Sequence, residues 1–237
     1  MCRGGVSSGA AARGGSQALR RQHQGPLQRR RLGGAAGQGK SSFINAFRGV
    51  KNNDVREADA SGNVFGAAKT GVTETTTKVK RYDWEKIPRL KFWDSMGAGA
   101  LATGRDDFFQ KHQLYAFDAI VVVTADRFTQ FDLEIIRDAL KWKKTVALVR
   151  SKADNDLYQM AGDAEIDVKD AHRRKIETDI HDNMGKFGVE ELKLVPIFIV
   201  SAVALRGGTT DRPVEVYGMD EEKLKHHVLQ GIVQQRL

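Results

Sequence analysis

Gly34-Ala35-Ala36-Gly37-Gln38-Gly39-Lys40-Ser41 carries the spacing G-x-x-x-x-G-K-[ST], the pattern of a loop that cradles phosphates. Glycine at Gly34, Gly37 and Gly39 lets the backbone approach a polyphosphate and adopt positive φ. Successive backbone N–H groups, Ser42 included, then form a concave anion nest. Lys40 brings a point charge to the β- and γ-phosphates, and the Ser41 hydroxyl is a ligand for Mg²⁺. A flexible Gly/Ala linker ahead of a helix has a similar composition, so the decision falls to residues further along the chain.

Asp94-Ser95-Met96-Gly97 directly follows an apolar strand pattern, Leu90–Trp93. A carboxylate at a strand's carboxyl end, facing a phosphate loop, holds Mg²⁺ through a water, and the Gly97 N–H reaches a γ-phosphate. Ser151-Lys152-Ala153-Asp154 follows a second strand pattern. The Asp154 carboxylate can accept from the N1–H and amino group of guanine, a donor pair that adenine lacks, while the Lys152 stem lies on the base. Ser201-Ala202 follows the last strand, where a backbone N–H, that of Ala202, suits the guanine O6. Thr70, Thr73, Thr75, Thr76 and Thr77 crowd the stretch before Asp94. One of them is expected to ligate Mg²⁺ and sense the γ-phosphate, as in segments that order and release with nucleotide state. Taken singly, D-x-x-G and S-K-x-D are charged turns; their order, each at a strand end, gives them weight.

The elements that must position these residues are set by periodicity. A helix is expected over Ser41–Arg48, with Phe43, Ile44 and Phe47 on one side, and a loop over Gly49–Gly71. Strands are expected at Thr75–Tyr82, Leu90–Trp93, Ala119–Thr124, Thr145–Val149 and Ile197–Val200. Helices are expected at Phe108–Phe117, Phe131–Lys144, Val168–Phe187 and Glu221–Gln235. Strands alternating with helices give an α/β class, a mainly parallel central sheet with helices on both faces. Ligands in such sheets sit outside the carboxyl ends of the strands. The expected fold is therefore the GTPase type of P-loop domain, with its first strand in doubt.

Composition bounds the rest. The chain has 237 residues, 41% of them hydrophobic, enough for one sizeable core. The single cysteine excludes an internal disulfide and fits a reducing compartment, so a cytoplasmic location is expected. The net charge of +8 is concentrated in residues 1–40, which hold eight Lys or Arg and no Asp or Glu, leaving 30 basic and 30 acidic residues in 41–237. No nucleic-acid groove is therefore expected in the folded part. Residues 1–32 read as a basic, low-complexity, disordered leader and 33–237 as the GTPase domain. The leader fits an organelle transit peptide, a basic tail touching anionic lipid or RNA, or a start foreign to this fold. The last is favoured because a phosphate loop is preceded by a buried strand. Pro26-Leu27-Gln28-Arg29-Arg30-Arg31-Leu32 places three arginines where both faces should be apolar.

With these residues in place, the chain resembles the immunity-related GTPase family, interferon-inducible and dynamin-like. The resemblance rests on Gly39-Lys40-Ser41-Ser42-Phe43-Ile44-Asn45 with Phe47-Arg48-Gly49, on Gly66-Ala67-Ala68-Lys69-Thr70-Gly71-Val72 with Glu74 and Thr76, and on Phe92-Trp93-Asp94. Thr124-Ala125-Asp126-Arg127-Phe128 and Val149-Arg150-Ser151-Lys152-Ala153-Asp154 continue it. It covers about 33–237. It implies GTP and GDP binding with Mg²⁺, slow hydrolysis, nucleotide-dependent self-association and peripheral contact with intracellular membranes. It also implies that Thr70 and Thr76 are switch threonines, Thr76 with Ser41 and Asp94 at the metal, and that Glu74 assists Lys40 and Thr76 in hydrolysis across a dimer. Three features depart from the pattern. Ser151 stands for the usual Asn, Asp-Ser-Met-Gly lacks a common Pro, and Ala98 stands where small GTPases carry a water-orienting Gln. Met1-Cys2 is no myristoylation start.

Three functions compete on these grounds: a slow, assembly-dependent GTP hydrolase; a GTP/GDP-binding interaction module with little turnover; and a fragment with an incomplete GTPase fold.

Overall fold

The structure is a computed structural model, describing residues 28–33, 37–71, 79–95, 108–125, 128–160, 168–186, 188, 190–210 and 213–234. Six strands form one sheet: β1 (Gln28–Gly33), β2 (Lys80–Asp83), β3 (Leu90–Asp94), β4 (Ala119–Thr124), β5 (Thr145–Arg150) and β6 (Ile197–Ile199). Their spatial order is β2-β3-β1-β4-β5-β6. Every neighbouring pair is parallel except β2–β3. The helices are α1 (Lys40–Phe47), α2 (Phe108–Lys111), α3 (Gln130–Lys141), α4 (Ala153–Met160), α5 (Val168–Gly185), α6 (Ala202–Leu205), α7 (Val214–Tyr217) and α8 (Glu221–Gln234).

β4 shows why the sheet is covered on both sides. All six residues, Ala-Ile-Val-Val-Val-Thr, are buried. Val121 and Val123 join Phe43, Ile44 and Phe47 of α1 and Leu224 and Val228 of α8 in one core. Ile120 and Val122 join Leu133 and Ile136 of α3 and Ile180 and Met184 of α5 in the other. Side chains alternate across a strand, so a wholly apolar strand needs an apolar layer on each face. Thr129 starts α3 with a capping box, its hydroxyl accepting from the Asp132 N–H while the Asp132 carboxylate accepts from the Thr129 N–H.

The doubt about the first strand is overturned. β1 runs parallel to both β3 and β4 at the centre of the sheet. Residues 28–33 thus belong to the sheet and not to a leader; residues 1–27 lie outside the described residues. The reason is backbone pairing. β3 and β4 carry N–H and C=O groups that a strand between them must satisfy, and that demand outweighs the poor side-chain pattern. The arginines adapt. Arg30 is fully buried and donates Nη2 to the Val228 carbonyl at 3.3 Å. Arg31 donates Nη1 to the His112 carbonyl at 2.7 Å and lays its guanidinium over the Phe117 ring, 5.1 Å from the centroid. Their aliphatic stems supply apolar surface.

Smaller corrections concern boundaries. The helix expected over Phe108–Phe117 is broken: Gln113 has φ 51°, and a 3-10 turn, Leu114–Ala116, follows α2. β2 begins at Lys80, and residues 72–78 lie outside the described residues. The periodicity gave no sign of α4, α6 and α7, which are short or polar on most sides.

Candidate nucleotide site

The phosphate loop, the end of β3, the end of β5 and the end of β6 meet at the carboxyl edge of the sheet. Gly37 (φ 75°) and Gly39 (φ 83°) both take the left-handed backbone that glycine allows without strain. Gly39 precedes α1, and its carbonyl accepts the Phe43 N–H at 2.8 Å. Lys40 opens the helix and is buried, and Ser41 and Ser42 come next, half-buried. α1 therefore directs its first N–H groups toward the loop, an arrangement suited to an anion.

Ser41 and Asp94, 53 residues apart in sequence, meet here. Ser41 Oγ donates to Asp94 Oδ2 at 2.6 Å, and Asp94 is 1% exposed at the end of β3. A hydroxyl and a buried carboxylate converging beside a phosphate loop form a hard oxygen donor set, which fits Mg²⁺. The neighbouring Ser95 hydroxyl donates to the Leu32 carbonyl, so β1 and the end of β3 are locked together directly below the loop.

The phosphate loop is also tied to the end of β5. Ser151 Oγ donates to the Gln38 carbonyl at 2.9 Å, and the Gln38 side-chain oxygen accepts from the Ala125 N–H. The departure from Asn at Ser151 thus keeps a polar support: the hydroxyl bridges the loops. Lys152 has φ 63°, a left-handed turn that redirects the chain into α4. Asp154 lies in the first turn of α4 and is 5% exposed. The Ala153 N–H donates to the Val200 carbonyl at 3.2 Å, joining this turn to the end of β6. Ser201 is fully buried; its hydroxyl caps α6 by accepting from the Val203 and Ala204 N–H groups. Its own N–H donates to Glu221 Oε1 at 2.8 Å. Burial raises the Glu221 carboxyl above its usual range, against the opposing pull of these N–H donors. Ala202, at the first position of α6, has an N–H that the helix ladder does not consume.

Two residues without an assigned role in the sequence pattern hold the segment that leads away from the phosphate loop. Asn45 grips Ala68 at both ends of its amide, Nδ2 to the carbonyl at 2.9 Å and Oδ1 from the N–H at 2.7 Å. Arg48 donates Nε to the Asp83 carbonyl at 2.8 Å and Nη1 to the Gly66 carbonyl at 3.1 Å. Burial lowers its guanidinium to about 10. Gly66 is required by close approach: a Cβ there would lie 2.8 Å from the Arg56 backbone N and O. Gln38 is a third unforeseen residue. It occupies an x of the motif, and no pattern singles it out.

Thr70 is exposed, beside the pinned Ala68. Gly34, Thr73, Glu74, Thr75, Thr76, Thr77, Gly97 and Ala98 lie outside the described residues. The structure thus brings together Gly37, Gly39, Lys40, Ser41, Ser42, Asp94, Ser151, Lys152, Asp154, Ser201 and Ala202 at one edge.

A family model described as "Interferon-inducible GTPase (IIGP)" matches residues 17–214. The chain is 32% identical to Interferon-inducible GTPase 1 of Mus musculus over 169 residues, covering 71% of this chain and 38% of that protein. It is 33% identical to Interferon-inducible GTPase 5 of Rattus norvegicus over 124 residues, 52% of this chain and 25% of that one. The chain therefore spans well under half the length of these relatives. Among solved structures, Era in complex with MgGDPNP and nucleotides 1506–1542 of 16S ribosomal RNA superposes with a TM-score of 0.50 at 16% identity, over 87% of this chain and 57% of that one. That likeness concerns the fold, a P-loop GTPase domain. The family match spans both strands that carry the phosphate loop and Asp94 as well as the turn that carries Asp154, and the chain belongs to the interferon-inducible GTPase family.

Proposed function

We propose that this chain binds GTP and GDP with Mg²⁺ and hydrolyses GTP slowly, at a rate that rises when two copies associate. The observation that carries the reading is the 2.6 Å approach of Ser41 Oγ to Asp94 Oδ2 beneath the phosphate loop. Bound Mg²⁺ supplies neutralisation of charge on the β- and γ-phosphates. Ser41 would ligate it directly, Asp94 through a water, and Thr76 would be the third protein ligand. Lys40 and the N–H groups of Gly37, Gly39, Ser41 and Ser42, with those of Gly34 and Gly97, bind the phosphates. Asp154 accepts from the guanine N1–H and amino group, Lys152 covers the base, and Ala202 donates to O6. Thr70 lies on the segment that Asn45 and Arg48 anchor, so its upstream end is fixed while it responds to nucleotide.

Hydrolysis requires water to attack the γ-phosphorus. Ala98 cannot orient that water, which supports a low rate for a single copy. Glu74, with Lys40 and Thr76, is the candidate to complete the site when a second copy docks on the GTPase domain. No described helix is long and apolar enough to cross a membrane; peripheral contact with intracellular membranes and a cytoplasmic location remain part of this proposal, and nucleic acid is not.

The test is single-turnover hydrolysis of GTP at increasing protein concentration, beside calorimetric titration with GDP, GTP and ATP. Guanine-selective binding with a rate that climbs with concentration is expected. A flat rate near background, with tight guanine binding retained, would leave an interaction module. Indifference to all three nucleotides in the folded chain overturns the reading.

A further inference from the structure

On the face of the sheet away from α1 lies a cavity of about 360 Å³, lined by Arg29, Arg31, Trp93, Lys111, His112 and Phe117 among others, with no acidic residue among the described residues of its wall. Arg31 and Trp93 sit side by side, paired in register across β1 and β3. Arg31 is 3% exposed. Its Nη1 is held by the His112 carbonyl at 2.7 Å. Its Nε and Nη2 are buried and hydrogen-bond to nothing among the described residues, and the same is true of the Trp93 indole Nε1. In a planar guanidinium, Nε–H and the Nη2–H beside it lie parallel along one edge. That edge matches the two oxygens of a carboxylate or phosphate. Buried donors are normally satisfied, so a whole fork and a neighbouring indole N–H left unmade ask for an acceptor.

The surroundings define that acceptor. Trp93 and Phe117 stand edge to face, 5.7 Å between ring centroids, and Phe117 lies under the Arg31 guanidinium. Burial, with the charges of Arg31 and Lys111, lowers His112 below its ordinary value, so it adds no further cation near neutral pH. Arg29 and Lys111 are exposed at the rim. We propose that this cavity binds a small organic oxyanion, a carboxylate or phosphate carried on a flat apolar body, with the Arg31 fork and the Trp93 N–H on its oxygens and the Phe117 side on its body. A cavity of this size is at the small end of ligand sites. Among the described residues it is separate from the nucleotide edge: Arg31 precedes the end of β1, and none of the described nucleotide-site residues lines the cavity.

The experiment titrates the full chain, saturated with Mg²⁺-GDP, with benzoate and with phenyl phosphate, read by tryptophan fluorescence and calorimetry. Benzamide serves as the neutral isostere and inorganic phosphate as the bodiless anion. Saturable binding of at least one aryl anion, with benzamide at least tenfold weaker, is expected; the tighter of the two names the head group. Arg31→Lys keeps a charge but loses the fork, and should weaken binding at least tenfold with GDP affinity unchanged. Trp93→Phe keeps the ring but loses the N–H, and should weaken it several-fold; this variant decides the matter if Arg31→Lys does not fold. Equal affinity in both folded variants, no saturable binding by either aryl anion, or inorganic phosphate binding as tightly as phenyl phosphate would overturn the proposal.

Discussion

At the scale of single residues, the proposed guanine selectivity rests on one carboxylate. Asp154 is buried at the start of α4, and the Ala153–Val200 hydrogen bond ties that turn to the end of β6. Hydrogen bonds to a charged group contribute about 1.5–3 kcal/mol each. Asp154→Ala should therefore weaken GDP binding by roughly a hundredfold or more, with weak ATP binding unchanged; competitive titration of the two nucleotides checks it. Ser151 makes a different kind of contribution. Its hydroxyl touches the Gln38 carbonyl and holds the phosphate loop against the end of β5. Ser151→Ala removes a neutral hydrogen bond of about 1 kcal/mol, so nucleotide affinity should fall only about fivefold, for GTP and GDP alike. A loss as large as that of Asp154→Ala would show that Ser151 contacts the base itself.

At the scale of elements, β1 is the strand whose backbone and side chains disagree. Its position between β3 and β4 satisfies both neighbours' ladders. Its arginines, however, enter two apolar cores, and Arg30 is 0% exposed. Taking a charge out of water costs several kcal/mol per ion, a penalty that an apolar side chain does not carry. Arg30→Leu should raise the denaturant midpoint without changing the slope, read by urea titration. A clear loss of stability would mean that the interactions of Arg30, the Val228 contact among them, outweigh desolvation. The segment after α1 gives the opposite case. Asn45 satisfies both Ala68 backbone groups, so Asn45→Ala strands a buried N–H and C=O, at about 1–3 kcal/mol each. Faster amide exchange of residues 66–70 in that variant is the expected readout.

At the scale of the whole molecule, three histidines share one fate. His112, His172 and His227 all have lowered pKa values, burial being the largest cause in each. For His172 the nearby Asp156 pulls the other way and does not prevail. The unfolded chain binds protons at these positions from about pH 6.5 downward, while the folded chain resists them. Stability contributed by the neutral imidazoles is thus full above about pH 6.5 and falls as pH drops from there toward the folded values. Asp220 adds a second loss at lower pH. Burial would raise its carboxyl, but the Arg173 guanidinium, 2.8 Å away, and the Ile199 N–H bring the net pKa below its ordinary value. Its contribution is present above about pH 4 and disappears as pH falls through the depressed value. Melting temperature measured from pH 7.5 to 5.5 should decline, and His172→Gln should flatten the decline. An unchanged slope would place the sensitivity elsewhere.

Much of the site was legible from residue order alone. Phosphate contacts need glycine, lysine and a hydroxyl at fixed spacing because a tight loop and a helix start admit little else, so Gly37, Gly39, Lys40 and Ser41 announce themselves. The apolar runs of β4 and β5 likewise dictate a two-faced sheet, because a strand whose successive side chains are apolar needs cover on both faces. What the sequence could not reveal is cooperative over distance. β1 is a strand because its neighbours need partners, not because Arg30 and Arg31 favour one. Gln38, Asn45 and Arg48 matter through backbone groups and side chains as far as 113 residues away, contacts for which side-chain pattern carries no signal. Likewise, only the packed chain sets the Arg31 edge beside the Trp93 indole, because burial and register, neither of them local, bring those donors into one cavity.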